Sequence, residues 1–178
     1  FGCGHATIPV EEMYPRIGGF VGFHPMVELP MTFFTGITGQ LGIHQFLFLE
    51  RAEGYGNAIL KQYNFDKNAC TWLLSHTGIN KVNIDVALRA KELGMTVIVY
   101  GSAEEAKGKV TRHPSGKTIF QIADIVVDSC VPVVDASVPL KNHQDKVGPL
   151  STHAFVTLVW LTITTVAEIL ADRGVKLY

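Results

Sequence analysis

The sequence predicts an α/β fold, a three-layer doubly wound sandwich with a mostly parallel five-stranded sheet. Two observations carry this. Ala69–Leu74 and Met95–Tyr100 are continuous apolar runs, the pattern of strands buried on both faces. Between them Val82, Val86, Ala90 and Leu93 recur at helical spacing, and Gly94 stands as the stop. Strand, helix and strand in that order make a parallel βαβ unit.

The other elements extend the same alternation. Phe1-Gly2-Cys3-Gly4-His5 reads as the end of a strand entering a loop, so residues upstream are expected to be missing. Met26–Leu29 reads as a strand between Pro25 and Pro30. Glu50–Tyr63 reads as a helix weakened by Gly54 and Gly56, each costing about 1 kcal/mol. A short helical stretch from Lys117 to Ile122 precedes a strand at Ile125–Asp128. The last helix is expected from Thr152 to Asp172, closed by Gly174. Pro30–Gly42 and Ser129–Gly148 read as irregular loops, of the length that usually serves a function. The whole, 1–178, is one domain's worth of chain.

Composition narrows the function classes. The formal net charge is −1 and the basic residues are scattered, which argues against nucleic acid as a partner. Three cysteines, Cys3, Cys70 and Cys130, form neither a pairable set nor a C-x-x-C motif, which points to a reducing cytoplasm. Among the seven histidines no two are four residues apart, so no metal or other cofactor is expected. Ala154–Ala167 is uncharged, yet shorter than the ~20 residues of a membrane span and diluted by four threonines. A buried core helix, and no membrane, is the expectation.

Ligands of parallel α/β sheets sit at the carboxyl ends of the strands. Gly2-Cys3-Gly4, Ser75-His76-Thr77-Gly78 and Gly101-Ser102 all fall there. Ser75 and Thr77 supply hydroxyls, Gly78 permits close backbone approach, and a helix opens near Asn80. Helix N-termini offer unpaired N–H groups and partial positive charge, which together suit an anion. A Walker lysine is absent. The same residue types also serve as plain helix caps.

Ser75-His-Thr-Gly-Ile-Asn80, between strand and helix, resembles the S-x-S-G-x-[STN] phosphosugar loop of sugar-isomerase (SIS) domains, with Thr77 at the usual second serine. The rest resembles single-domain bacterial SIS proteins of the phosphoheptose isomerase subgroup. The matching stretches are Phe1–His5, Glu50–Gly56, Arg112–Lys117, Ala123–Asp128 and Gly148–Thr152. The resemblance implies a single SIS domain in flavodoxin-like strand order, lacking the family's N-terminal helix. It implies a phosphorylated sugar as partner, held by Gly4, His5, Ser75, His76, Thr77, Gly78, Asn80 and Ser102. It also implies a homodimer or homotetramer that shares its sites. Where the subgroup has a serine after Cys-Gly-His, this chain has Ala6, followed by Thr7.

Aldose–ketose isomerisation needs a base to move a proton between C1 and C2 and an acid/base at the oxygens. SIS isomerases use a glutamate and a histidine. Glu12 and Glu53 are the candidate carboxylates here, and His5, His76 and His153 the candidate imidazoles. Glu53, within the Glu-Gly-Tyr-Gly match, and His153, opening the last helix, are preferred. A non-catalytic phosphosugar sensor and an amino-sugar-phosphate lyase or deaminase fit the same loop. Arg112 is a further anion partner, on a loop stiffened by Pro114.

Overall fold

A computed structural model describes residues 1–14, 16–19, 21–32 and 42–177. Strands β1 (Cys70–Leu74), β2 (Thr96–Gly101) and β3 (Ile125–Asp128) form a parallel sheet in that order. Leu74 lies opposite Tyr100, and Gly101 opposite Asp128. Gly2 adds a parallel bridge to Leu74 on the outer side of β1.

Alternation along the strands builds two cores. Leu73, Val97 and Val99 face helix α3 (Tyr55–Leu60) and helix α4 (Lys81–Glu92), through Ile59, Val82, Val86 and Ala90. Leu74, Tyr100 and half-buried Trp72 face the other way, onto α1 (Thr7–Met13) and α6 (Ser151–Asp172). Helices therefore cover both faces of the sheet, because successive strand residues point to opposite sides. Helix α4 ends as expected, with Gly94 at φ 78°.

Several expectations are corrected. The described residues contain a three-stranded parallel sheet and a separate antiparallel pair, not five strands in one sheet. Met26–Leu29 is no strand; Leu29–Met31 forms a 3-10 turn in which Pro30, lacking an N–H, takes an early helical position. The pair, β4 (Ala136–Pro139) and β5 (Lys146–Pro149), lies within a stretch expected to be irregular. Its prolines disguise it, since proline lowers strand preference and survives here at strand ends.

Of the helix expected over 50–63 only α3 forms; residues 50–54 are a turn that follows a separate helix, α2 (Gly42–Leu49), and Gly54 at φ 77° leads into α3. Most of the loop expected over 30–42 lies outside the described residues. Helix α5 (Ile119–Ile122) carries a capping box of Thr118 and Gln121. Helix α6 is not the buried helix expected. Ser151, Phe155, Val159 and Ile163 form its buried stripe, while Leu161 and Ile169 are exposed. At 22 residues it is long and apolar enough to cross a membrane by length and composition, yet that stripe packs on the sheet.

Candidate functional site

Residues following β1 leave the sheet at Ser75, whose N–H donates to the Tyr100 carbonyl at 3.0 Å. The chain then turns under its own hydroxyl, the Gly78 N–H donating to Ser75 Oγ at 3.2 Å. Gly78 sits at φ 66°, and a Cβ there would lie 2.5 Å from the Phe120 ring. The turn thus requires glycine. Neighbouring segments tie its carbonyls: Ile119 N–H donates to Gly78 and Thr111 Oγ1 to Ile79.

A cavity of about 200 Å³ opens above this loop. Ser75, His76, Thr77 and Asn80 line it, with Asn83 of α4 behind them. Cys3, His5 and Ala6 come from the first loop, and Ser151 and Phe155 from the start of α6. Two loops at the carboxyl end of the parallel sheet, the first loop and the one after β1, converge here with the start of α6. Gly4 and Ser102 lie outside that lining. Gly4 is buried at φ 61°, and Ser102 is fully buried with its hydroxyl donating to the Val131 carbonyl and its N–H to the His76 carbonyl. Ser102 therefore braces the loop. Thr7 does not replace the hydroxyl absent at Ala6, for it is buried and donates to the Gly2 carbonyl at 3.3 Å.

His76 carries the clearest unused valence. Its Nε2 lies 3.2 Å from the Val133 carbonyl, so that nitrogen bears the proton. Nδ1 is buried and has no partner among the described residues. In the neutral ring it is an acceptor at the cavity wall, able to take a hydrogen bond or a proton from a bound hydroxyl.

Glu53 is exposed and pairs with Lys81 at 3.2 Å, away from the cavity lining. Glu12 pairs with Arg16 along α1. The carboxylate beside the site is Glu50, missed from sequence and only 5% exposed. Its Oε2 accepts from Asn80 Nδ2 at 2.7 Å, and Oε1 pairs with Arg51 at 2.8 Å. Burial pushes its pKa up, and Arg51 only partly opposes this. The signal that finds it is spacing: Glu50 follows buried Phe46 by one helical turn, on the inward face.

His153 is exposed, on the side of α6 away from Ser151 and Phe155, and so does not face this chain's own cavity. The α6 N-terminus is closed by Asp135, which accepts from the N–H groups of Leu150 and Ser151 and from Ser151 Oγ, all at 2.8 Å. Burial raises the Asp135 pKa, but the hydrogen bonds from Ser151 and Leu150, with His76 nearby, outweigh it and hold the carboxyl below its ordinary value. The ionised form is then favoured by folding, so its stabilisation is present above ~3.9, the unfolded value, and is lost as pH falls through the lower folded value. Melting curves of wild type and Asp135→Asn should differ by several degrees at pH 7 and converge under acid. Asparagine tolerates the positive φ of 65° found there. A gap that persists unchanged at pH 2 would contradict the assignment.

The SIS-domain family model matches residues 1–102, from the first loop through β2. The chain belongs to the SIS-domain family. It is 32% identical to a UPF0309 protein of Shouchella clausii over 98% of its own length and 69% of that protein's. A UPF0309 protein of Oceanobacillus iheyensis is 33% identical, with the same two coverages. Against one from Thermoanaerobacter pseudethanolicus the identity is 32%, over 85% of this chain and 60% of that protein. A SIS domain points to carbohydrate, and to a sugar phosphate in particular, as the ligand class.

Proposed function

We propose that this SIS domain is an aldose–ketose isomerase acting on a sugar phosphate. The single observation that carries the proposal is the pairing, around one cavity, of the Ser75–Asn80 loop with two acid/base groups. These are the buried, unpartnered Nδ1 of His76, a residue of the lining, and the buried carboxylate of Glu50, which stands behind the lining and accepts from Asn80. Ser75, Thr77 and Asn80 hold the phosphate. The sugar chain extends toward His5 and Ser151. Glu50, released from Asn80 when that amide turns to the ligand, moves the proton between C1 and C2. His76 serves the carbonyl and ring oxygens. The other buried carboxylate among the described residues, Asp85, is committed to His113 and Gly56.

Incubation with a panel of aldose and ketose phosphates should give interconversion of one pair. Thr77→Val keeps the side chain's shape and deletes its hydroxyl, so calorimetry should show affinity for that pair weakened by about 1–3 kcal/mol. Equal affinity would make the loop a helix cap. Tight binding with no turnover across the panel would favour a sensor. Ala6 is the observation on that side, because the subgroup's serine hydroxyl has no substitute here.

Assembly is proposed on the same footing. Exposed Leu161 and Ile169 and half-buried Trp160 leave α6 with an apolar outer side. A second copy covering it would bring His153 toward a neighbouring cavity, in a homodimer or homotetramer. Light scattering at low micromolar concentration should give a multiple of 19.5 kDa that Trp160→Glu reduces. A monomer mass for wild type would remove His153 from the site.

A further inference from the structure

Beside the sugar cavity lies a second cleft, of about 440 Å³, and Asn80 stands in the wall of both. Arg51, Ile79, Lys81, Val110 and Arg112 complete its lining. Arg51, Lys81 and Arg112 concentrate positive charge there, in a chain whose net charge is −1. Arg51 is matched by Glu50 and Lys81 by Glu53. The Arg112 side chain has no ion pair or hydrogen bond among the described residues.

The loop that presents Arg112 is nonetheless anchored on both sides of it. Thr111 Oγ1 donates to the Ile79 carbonyl at 2.8 Å and accepts from the His113 N–H at 3.0 Å. His113 Nε2 lies 3.0 Å from Asp85 Oδ1, with the two side chains 8% and 5% exposed. Asp85 Oδ2 accepts from the Gly56 N–H, and His113 Nδ1 lies 2.8 Å from Ser115 Oγ. A buried pair of this kind resists opening, because either partner alone would be left desolvated. A guanidinium is thus held at the cleft while serving no group among the described residues. The nearby start of α4 adds to the field, since the Asn80 side chain is turned to Glu50 and does not cap the helix. A planar guanidinium flanked by two further cations suits a phosphate or carboxylate, which it binds through two parallel hydrogen bonds.

We propose that this cleft takes a second anionic group, phosphate or carboxylate, of the ligand whose first phosphate occupies the Ser75–Asn80 loop. The preferred ligand is then a doubly anionic sugar: a bisphosphate or a phosphorylated sugar acid. The inference rests on the phosphosugar reading and narrows its substrate class.

Calorimetry of the full chain with fructose 6-phosphate, fructose 1,6-bisphosphate and inorganic phosphate tests it. Wild type should bind the bisphosphate at least about tenfold more tightly than the monophosphate, the factor expected of a charge-assisted bidentate contact. Arg112→Ala should erase that advantage and leave monophosphate affinity unchanged, whereas Thr77→Val should weaken both sugars. Equal binding of the two sugars by wild type, or an equal loss of both in Arg112→Ala, would overturn the inference and leave the phosphosugar reading standing. Inorganic phosphate bound through Arg112 without any preference for the bisphosphate would also overturn it, marking a free-anion site. Failure of both sugars to bind wild type would overturn the phosphosugar reading, and this inference with it.

Discussion

Glu50→Gln is expected to lower isomerase turnover by about 10²–10⁴-fold, the usual contribution of a positioned general base. Affinity for the sugar phosphate should stay within about threefold. Glutamine keeps the volume and an oxygen for Asn80 Nδ2, the contact Glu50 makes at 2.7 Å, so the loop retains its support. What disappears is the group proposed to take the proton. The pH profile offers a second readout. Burial raises the Glu50 pKa, so the wild-type kcat/KM should fall with acid at a pH above ~4.3, the ordinary glutamate value. The raised value also means that ionised Glu50 is disfavoured by folding, so Glu50→Gln should not destabilise the protein at neutral pH through loss of charge. Full turnover in Glu50→Gln would reduce Glu50 to a support for Asn80. A parallel Glu53→Gln variant should be near wild type, since Glu53 is exposed and meets only Lys81.

Gly101→Ala is expected to cost about 3 kcal/mol of stability and to abolish phosphosugar binding. A Cβ at Gly101 would lie 2.3 Å from the Ser75 carbonyl oxygen and 2.6 Å from the Phe120 ring. Phe120 has some freedom to swing. The Ser75 carbonyl has little, because Ser75 N–H is bonded to Tyr100 and Ser102 N–H to the His76 carbonyl across the same gap. The added methyl must push β2 and the phosphate loop apart, displacing the groups that would hold the phosphate. Urea denaturation and calorimetry would show the two effects together. Gly19→Ala is the control, its nearest neighbours being 3.4 Å or more away. A Gly101→Ala protein as stable as wild type would mean that the close approach at the loop is not a constraint.

Consecutive residues encode their own periodicity, which is why β1, α4, β2, β3 and the Ser75–Asn80 loop are legible in the sequence. The runs at 69–74 and 95–100 carry no polar residue besides Thr71, Thr96 and Tyr100, and Val82, Val86 and Ala90 keep one helical face. Those elements alone put the loop at the carboxyl end of a parallel strand. The family match adds the sugar phosphate. What depends on segments distant in the chain is not written locally. Glu50 and Glu53 sit three residues apart with similar neighbours. The approach of Asn80 to one, and of Lys81 to the other, separates them: the first is buried and the second is a surface ion pair. Met26–Leu29 has the composition of a strand but no ladder partner among the described residues, and strand pairing is a property of two segments. The 136–149 hairpin shows the converse, with pairing that overrides the preference of its prolines. It also delivers Asp135 to the first turn of α6, a contact across about fifteen residues that no spacing rule contains. Sequence therefore determined the central βαβ unit and its anion loop, through local periodicity and turn chemistry. Tertiary structure decided which acid is buried behind the cavity wall and which imidazole nitrogen is left without a partner there, because burial and hydrogen-bond partnership depend on what the rest of the chain brings to each position.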